Sequence, residues 1–518
     1  MSTERQIALS TGGRYTAIAI STVIGFVLTP YLIHAIGVMA YGLQALSTQT
    51  IQIVSLAATA IGVSYERHAA AHYARKEFDR MNTILSVGLQ LSLISASLLL
   101  AGALVSALYA KSFFDLPDEL VHDARLVLAI TGFAAACHIV NGVWKSPLFI
   151  TQRFYLESLG QILATIGAAV GVVLIFNWHH PSIITWVLLA CGLRVLLEWC
   201  CVIPLCRRAL PEMHVTLRNT ASRAQFVSIL SFGGLTFLAV IGSLLYYACD
   251  SIIIANLDSL GIGQVTYYSV AQRWDPQIRM VITAFGGVLT PLMTADAAVG
   301  NLDRLRNTVL RGSRYALILA LYPSIVLGVF AVPFFHLWLG PEFSEASVPV
   351  LRVILVGLVA SVPGIIAYQA LTALGQLKWA AVTTLAAGVL NIVLAIVLVR
   401  FAHLGLVGVA IASASAIIIV HAVCFPIILS RAAALPVTTL GLHGALRALL
   451  GGLPLLAFGL AIHQIWHARN LMELMLQFAV CGLFYAASVW TISLTSEDRR
   501  KVRSALATLP GLKSRAPR

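Results

Sequence analysis

Tyr267-Tyr268-Ser269-Val270-Ala271-Gln272-Arg273-Trp274-Asp275-Pro276-Gln277-Ile278-Arg279-Met280 sets three charges inside a run that otherwise has the composition of a membrane-spanning helix. A charge at the centre of a bilayer costs roughly 2.5–3.5 kcal/mol on insertion scales, so such side chains face a protein interior or a wet cavity rather than lipid. Asp275 and Arg279 are four residues apart and share a helix face, which allows an intrahelical ion pair, whereas Arg273 points elsewhere and needs a different partner. Pro276 lacks an N–H, frees the carbonyl near Gln272 and predicts a kink, and so a hinge, where the helix is charged. Two readings fit this stretch: a buried salt bridge with a packing kink, or an element that lines a transport cavity.

The rest of the chain explains why so few charges carry so much weight. Of 518 residues 59% are hydrophobic and only 11% charged, which is the composition of an integral membrane protein and not of a soluble domain. The formal net charge of +13 does not indicate nucleic acid, because the basic residues sit in short loops between apolar runs and in the C-terminal tail. The eight cysteines lie within or at the ends of apolar segments, with neither metal-ligand spacing nor the loop pairing of a disulfide framework; Cys200, Cys201 and Cys206 are weak lipidation candidates. No P-loop, zinc-protease or nucleophile-elbow pattern is present, so the sequence predicts neither an enzyme nor a cofactor.

Apolar runs of about 20 residues, enough to cross a bilayer, fall near 14–35, 41–63, 82–108, 122–145, 156–176, 183–206, 226–250, 264–293, 313–339, 346–374, 379–399, 404–429, 441–465 and 471–494. They are continuous rather than alternating, which predicts helices and not barrel strands. Lys and Arg concentrate in alternate loops (Arg67 to Arg80, Lys145 and Arg153, Arg207 to Arg223, Arg304 to Arg314, and the tail from Arg499), so both termini are expected in the cytoplasm. Trp144, Trp178, Trp338, Trp379 and Trp466 fall at span ends, where amphipathic rings anchor to headgroups. Ser10-Thr11-Gly12-Gly13 is matched by Ser231-Phe232-Gly233-Gly234, and Asp79-Arg80-Met81-Asn82-Thr83 by the segment from Asp303 to Leu310, both a little over 220 residues on. The expected architecture is an all-α polytopic membrane protein of about fourteen helices: an N-terminal six-helix lobe over 1–222, a second over 223–430, two further helices over 431–496 and a basic cytoplasmic tail over 497–518.

Within the spans, polar residues mark where chemistry is expected. Gln44, Thr48 and Gln52, with Ser55 and Thr59, draw a hydrogen-bonding stripe down one face of span two, suited either to sugar hydroxyls or to helix packing. Arg194 and Glu198 of span six are again four apart, read here as a structural pair beside Trp186 and Trp199. Asp250, with Tyr246 and Tyr247, is the expected partner for an arginine of span eight, while His138, Asn141, Tyr368, Gln369 and Asn391 read as satisfied core groups. Arg194, Arg273, Arg279 and Arg352 against Glu198, Asp250 and Asp275 give a mildly cationic interior, matched to phosphate, whose oxygens arginine binds bidentately.

Ala35-Ile36-Gly37-Val38-Met39-Ala40-Tyr41-Gly42-Leu43 between spans one and two, the polar Gly62–Arg80 segment, Tyr267 to Arg273, and Thr290-Pro291-Leu292-Met293 followed by Asp303-Arg304-Leu305 carry a resemblance. Over spans one to twelve the chain resembles the polysaccharide and O-antigen (Wzx-like) flippases of the multidrug/oligosaccharidyl-lipid/polysaccharide exporter (MATE/MOP) superfamily. The resemblance implies a two-lobed, V-shaped transporter of the bacterial inner membrane that moves a lipid-linked oligosaccharide on an undecaprenyl-pyrophosphate carrier by alternating access, for lipopolysaccharide O-antigen or exopolysaccharide. It implies a cationic substrate path, carried onto Arg273 and Arg279 with Arg194 second, and polysaccharide polymerase and glycosyltransferase partners. Span one has no carboxylate and no basic cluster, which sets the chain apart from cation-coupled drug exporters and from lipid II flippases. A drug exporter would instead depend on Asp250 or Asp275, and a non-transporting assembly scaffold on none of these charges.

Overall fold

The computed structural model describes residues 3–151, 153–217, 241–242, 244–245, 249–257, 260–433 and 444–500. Most of the expected span seven, Tyr246 and Tyr247 included, the Ser231–Gly234 match, the lobe boundary at 222/223, the start of span thirteen and the tail beyond 500 lie outside the described residues.

Every regular element among the described residues is helical: α1 Thr3–Ile36, α2 Val38–Val54, α3 Leu56–Ala74, α4 Phe78–Leu108, α5 Ala110–Phe114, α6 Asp118–Ile150, α7 Tyr155–Trp178, α8 Ile183–Leu197, α9 Ile203–Ala209, α10 Cys249–Asn256, α11 Ile262–Gln272, α12 Trp274–Ala298, α13 Leu302–Val329, α14 Ala331–Leu339, α15 Pro341–Ala373, α16 Leu377–Arg400, α17 Gly405–Ile418, α18 Phe425–Ala433, α19 Gly444–Ile465 and α20 Leu471–Ser488. Wide π-turns at Glu198–Val202, Ile419–Cys424 and Val489–Ser493 continue α8, α17 and α20. Twelve helical stretches among the described residues are long and apolar enough to cross a membrane. Of the fourteen expected, span two is divided into α2 and α3 by a turn at Ser55, and span seven is the one that falls mostly outside the description. Span nine differs in its limits: the helix begins at Leu302 and is interrupted at Phe330, because hydropathy registers the apolar part and omits the helical turns that carry Arg304, Arg306 and Arg311.

Local chemistry sets the helix ends. Gly37 (φ 89°) and Gly340 (φ 108°) take left-handed conformations that let α1 turn into α2 and α14 into α15, the latter starting on Pro341, whose missing N–H costs nothing there. Asn301 accepts from the Arg304 N–H at 3.1 Å, and Asn470 accepts from the Glu473 N–H at 2.8 Å while Glu473 reaches back to the Arg469 N–H at 2.9 Å.

Contacts divide the chain into two units, residues 1–269 and 270–518. In the first, Tyr65, Met81, Leu85 and Val143 join α3, α4 and α6 in one core, and Leu210 of the segment after α9 completes it. That segment is fastened along α4: Asn82 donates to the Glu212 carbonyl at 2.9 Å, Ser86 accepts from the Thr216 N–H at 3.1 Å and Gln90 donates to the Leu217 carbonyl at 3.1 Å. In the second unit α15 and α13 are central, with 67% and 61% of their apolar windows buried and 56% for the span of α17 and α18, against 22–33% for the other spans, which face outward with aliphatic side chains. Spans thirteen and fourteen belong to this unit: Gly452 of α19 packs on Leu321 and Ile325 of α13, and the Tyr322 hydroxyl donates to the Phe478 carbonyl at 2.9 Å.

Candidate functional site

In the second unit the charged helix is interrupted at Arg273, between α11 and α12, so Pro276 falls in the first turn of α12, where its missing N–H is tolerated. The sequence expected this kink at the Gln272 carbonyl. Asp275 and Arg279 then form a bidentate pair, Nε to Oδ2 at 3.1 Å and Nη2 to Oδ1 at 2.9 Å, and Nη1 of Arg279 reaches Ser361 Oγ of α15 at 3.1 Å. Asp275 is 2% exposed. A carboxylate this deep is stabilised only by such close charge-assisted bonds. Trp274 holds the start of α12 by edge contacts with Phe334 and Trp338 of α14, ring centroids 5.3 and 6.0 Å away. Trp338, expected as a headgroup anchor, is therefore a core residue, 5% exposed, because the aromatic cluster around Trp274 absorbs it. The π-turn at Ile419–Cys424 lies against α15, with the His421 carbonyl close upon Gly364, and the charge of Arg279 acts on the His421 imidazole.

The first unit has a second charged cluster. Glu198, first residue of the π-turn after α8, receives Asn141 Nδ2 at 3.0 Å on Oε2, and on Oε1 meets His138 Nδ1 at 3.0 Å and Lys145 Nζ at 3.4 Å. Arg194 Nε stands 3.7 Å from the same oxygen, and Lys145 also reaches Glu157 Oε1 of α7 at 3.3 Å. The structure thus joins the expected Arg194–Glu198 pair to four residues not assigned to it: His138 and Asn141, read as satisfied core groups, Lys145, read as a loop charge, and Glu157. Lys145 is instead 8% exposed, because α6 continues to Ile150. The spacing of His138, Asn141 and Lys145 on one face of α6 is the signal that could have found the cluster.

Asp250 accepts the Tyr268 hydroxyl at 2.5 Å, a residue of the same span eight from which an arginine was expected. Arg273 is half-buried at the helix break. Thr48 and Gln52 are exposed on α2 and Gln44 is half-buried; the Thr48 hydroxyl donates to the Gln44 carbonyl at 2.9 Å, within its own helix. Asn391 accepts from the Ser413 hydroxyl at 3.2 Å.

A cavity of about 1040 Å³ lies within the second unit between α13, α15 and α19. Its walls are aliphatic apart from Ser324, Arg352 and His463, and Val356, Leu453 and Leu460 on its rim are 66%, 57% and 47% exposed, so it opens on the surface that lipid covers. Arg352 donates from Nε to the Gly328 carbonyl at 3.1 Å. No local pattern in the chain marks this cavity, since its liners come from helices far apart in sequence.

The MatE family model matches residues 236–397. The chain is 26% identical over 492 residues to the uncharacterized membrane protein EpsK of Bacillus subtilis (strain 168), covering 94% of this chain and 95% of that one. Among solved structures it is similar to the lipid II flippase MurJ in an inward closed conformation, with a TM-score of 0.68, 15% identity and coverage of 93% of this chain and 98% of that one. An inward-facing multidrug resistance MATE family transporter of the MOP superfamily matches with a TM-score of 0.67 and 17% identity, over 84% of this chain and 96% of that one.

Proposed function

We propose that this chain is a membrane transporter of the MATE/MOP superfamily, a reading supported by the MatE match and the MurJ-like and MATE-like fold, and that within it the chain is a flippase for a lipid-linked oligosaccharide, carried on a polyprenyl pyrophosphate across the bacterial inner membrane for surface polysaccharide assembly. The observation that carries this reading is the cavity between α13, α15 and α19, an aliphatic recess whose lining includes the cationic Arg352 near His463. Its volume of about 1040 Å³ is at the upper end of what drug-sized ligands need. An apolar chain fits its walls, and arginine is the side chain suited to the phosphate at the chain's end. Among the described residues no carboxylate lines it, which disfavours a cationic drug. Arg273 and Arg279 would continue the anion path and Gln44, Thr48 and Gln52 would meet the sugars. Glycosyltransferases would supply the substrate and a polymerase would consume it. The likeness to a protein named as a lipid II flippase supports a lipid substrate.

The test is complementation of surface-polysaccharide display in a flippase-null host, with membrane levels checked, by Arg352→Gln, Leu453→Trp, Arg273→Gln and the double variant Asp275→Asn/Arg279→Gln. Normal insertion with lost display and lipid-linked oligosaccharide retained on the cytoplasmic face supports the reading. Normal display by Arg352→Gln and Leu453→Trp overturns it.

A further inference from the structure

The Glu198 cluster has more charge-accepting capacity than it has protons. Two carboxylates share Lys145, Glu198 and Glu157 of α7, and Glu66 of α3 lies within electrostatic reach of Glu157 and Lys145. Against them stand two permanent cations, Lys145 and Arg194, of which Arg194 is 54% exposed along its side chain. From α9 the Cys206 thiol, and from α6 the Cys137 thiol, lie within electrostatic reach, while α2 brings no charged side chain. The buried Asn141 spends its amide N–H on Glu198, and its Oδ1 has no hydrogen-bond partner among the described residues. A buried acceptor left in this way costs about 1–3 kcal/mol, and turning the amide over would face two acceptors together.

His138 is the group placed to correct the deficit. Its Nδ1 is 3.0 Å from a carboxylate oxygen, a distance that requires the hydrogen on Nδ1 and leaves Nε2 as the open base. The side chain is 45% exposed, so a proton can reach it. Imidazole is also the side chain that changes charge in the physiological pH range.

We propose that this cluster is a proton-binding site of the transporter: His138 takes one proton at Nε2, becomes an imidazolium held by Glu198, and thereby drives Lys145 from Glu198 onto Glu157. The driving force is like-charge repulsion, since Lys145 Nζ already stands 3.5 Å from His138 Nδ1 and shares one carboxylate oxygen with it. Glu157 Oε1, 3.3 Å from the same ammonium, is the alternative partner. Proton occupancy therefore shifts Lys145 of α6 toward α7 while His138 and Asn141 keep α6 bound to Glu198, at a π-turn where α8 is already locally unwound. The inference rests on the chain being a transporter and not on which lipid it moves.

The test uses the full-length protein in proteoliposomes without any glycolipid, on a solid-supported membrane that reads charge displacement. A step from about pH 8 to about pH 5.5, spanning the imidazole range, is expected to give a transient in the native protein and none in Glu198→Gln or His138→Gln. His138→Gln leaves every other charge paired, so its fold, checked by thermal unfolding, is expected to be retained while the transient is lost. A transient that persists in both variants overturns the proposal, as does one evoked by a sodium step at constant pH. Loss of display in the complementation assay with any glycan leaves this readout untouched, so the two failures are separable.

Discussion

The two charged clusters solve the same problem in opposite ways. In the second unit Asp275 and Arg279 come from one turn of one helix, complete each other's bonds in a bidentate pair and borrow only Ser361 from a neighbour. In the first unit a single carboxylate, Glu198, is shared among groups from α6 and α8, with Lys145 divided between it and α7. Both lie beside a π-turn, and the turns begin at Glu198 and Ile419, 221 residues apart (419 − 198), the same interval as Ser10 to Ser231 (231 − 10). One π-turn thus has a self-contained pair beside it and the other a distributed group. A pair within one helix survives any movement of its neighbours, whereas a group divided among three helices changes whenever they shift. The first fixes a helix; the second senses one.

The glycines that seat the two π-turns should separate the units most strongly. At Gly364 an added Cβ would stand 1.9 Å from the His421 carbonyl oxygen, a backbone atom of the turn, so Gly364→Ala forces α15 and α17 apart; overpacking of this kind costs about 3 kcal/mol or more. At Gly160 the added Cβ meets only Val202 Cγ2 at 2.7 Å, a side chain that can rotate, and the expected cost is about 1 kcal/mol. Thermal unfolding in detergent decides the order. Equal losses would mean that the two turns are packed alike.

Removal of one charge should rank next. Asp275→Asn strands a guanidinium that is 14% exposed, and the expected loss is about 3–5 kcal/mol, most of it recovered in Asp275→Leu/Arg279→Met, where nothing charged remains to be buried. Arg194→Gln removes a cation that is 54% exposed and 3.7 Å from Glu198, which keeps Lys145, His138 and Asn141; a loss under about 1 kcal/mol is expected. A large effect of Arg194→Gln would show that the distributed cluster has no redundancy.

The same difference explains what could be read from the chain alone. Continuous apolar runs and alternating loop charge were enough for a multi-span helical membrane protein, because lipid leaves a chain almost no other structure. Asp275 with Arg279, and Arg194 with Glu198, were visible since helical periodicity turns a spacing of four into contact. Lys145 and Glu198 are 53 residues apart, and no local pattern announces their meeting. Lys145 was placed at a span end because hydropathy falls there, although the helix continues for five more residues to Ile150. Position alone assigns Trp338 to the headgroups, whereas it is buried among Phe334 and Phe335 of its own helix and Trp274 of α12, a neighbour that no local pattern announces.

The smallest expected effect comes from a carboxylate outside the spans, where water can report on it directly. Asp498 follows the last span and is 4% exposed; it accepts from Arg314 Nη2 at 2.7 Å, the Tyr315 hydroxyl at 2.6 Å and the Thr495 hydroxyl at 2.6 Å, while the Thr495 oxygen caps the Asp498 N–H at 3.2 Å. Burial alone would raise its pKa, but the hydrogen bonds from Thr495 and Tyr315 and the charge of Arg314 outweigh it and hold the carboxyl down at about 2. An unfolded aspartate titrates at about 3.9, and a pKa unit corresponds to about 1.4 kcal/mol, so the group contributes about 2–3 kcal/mol of stability. Because the folded value is the lower one, that stability is fully present above about pH 4 and is lost as pH falls through about 2. Asp498→Asn should therefore lower the unfolding midpoint at neutral pH and converge with the native protein near pH 2. A gap that stays constant across that range would mean that the tail is held by the shape of the Thr495 cap and not by the charge of Asp498, and the second unit would then hold its last span without electrostatics.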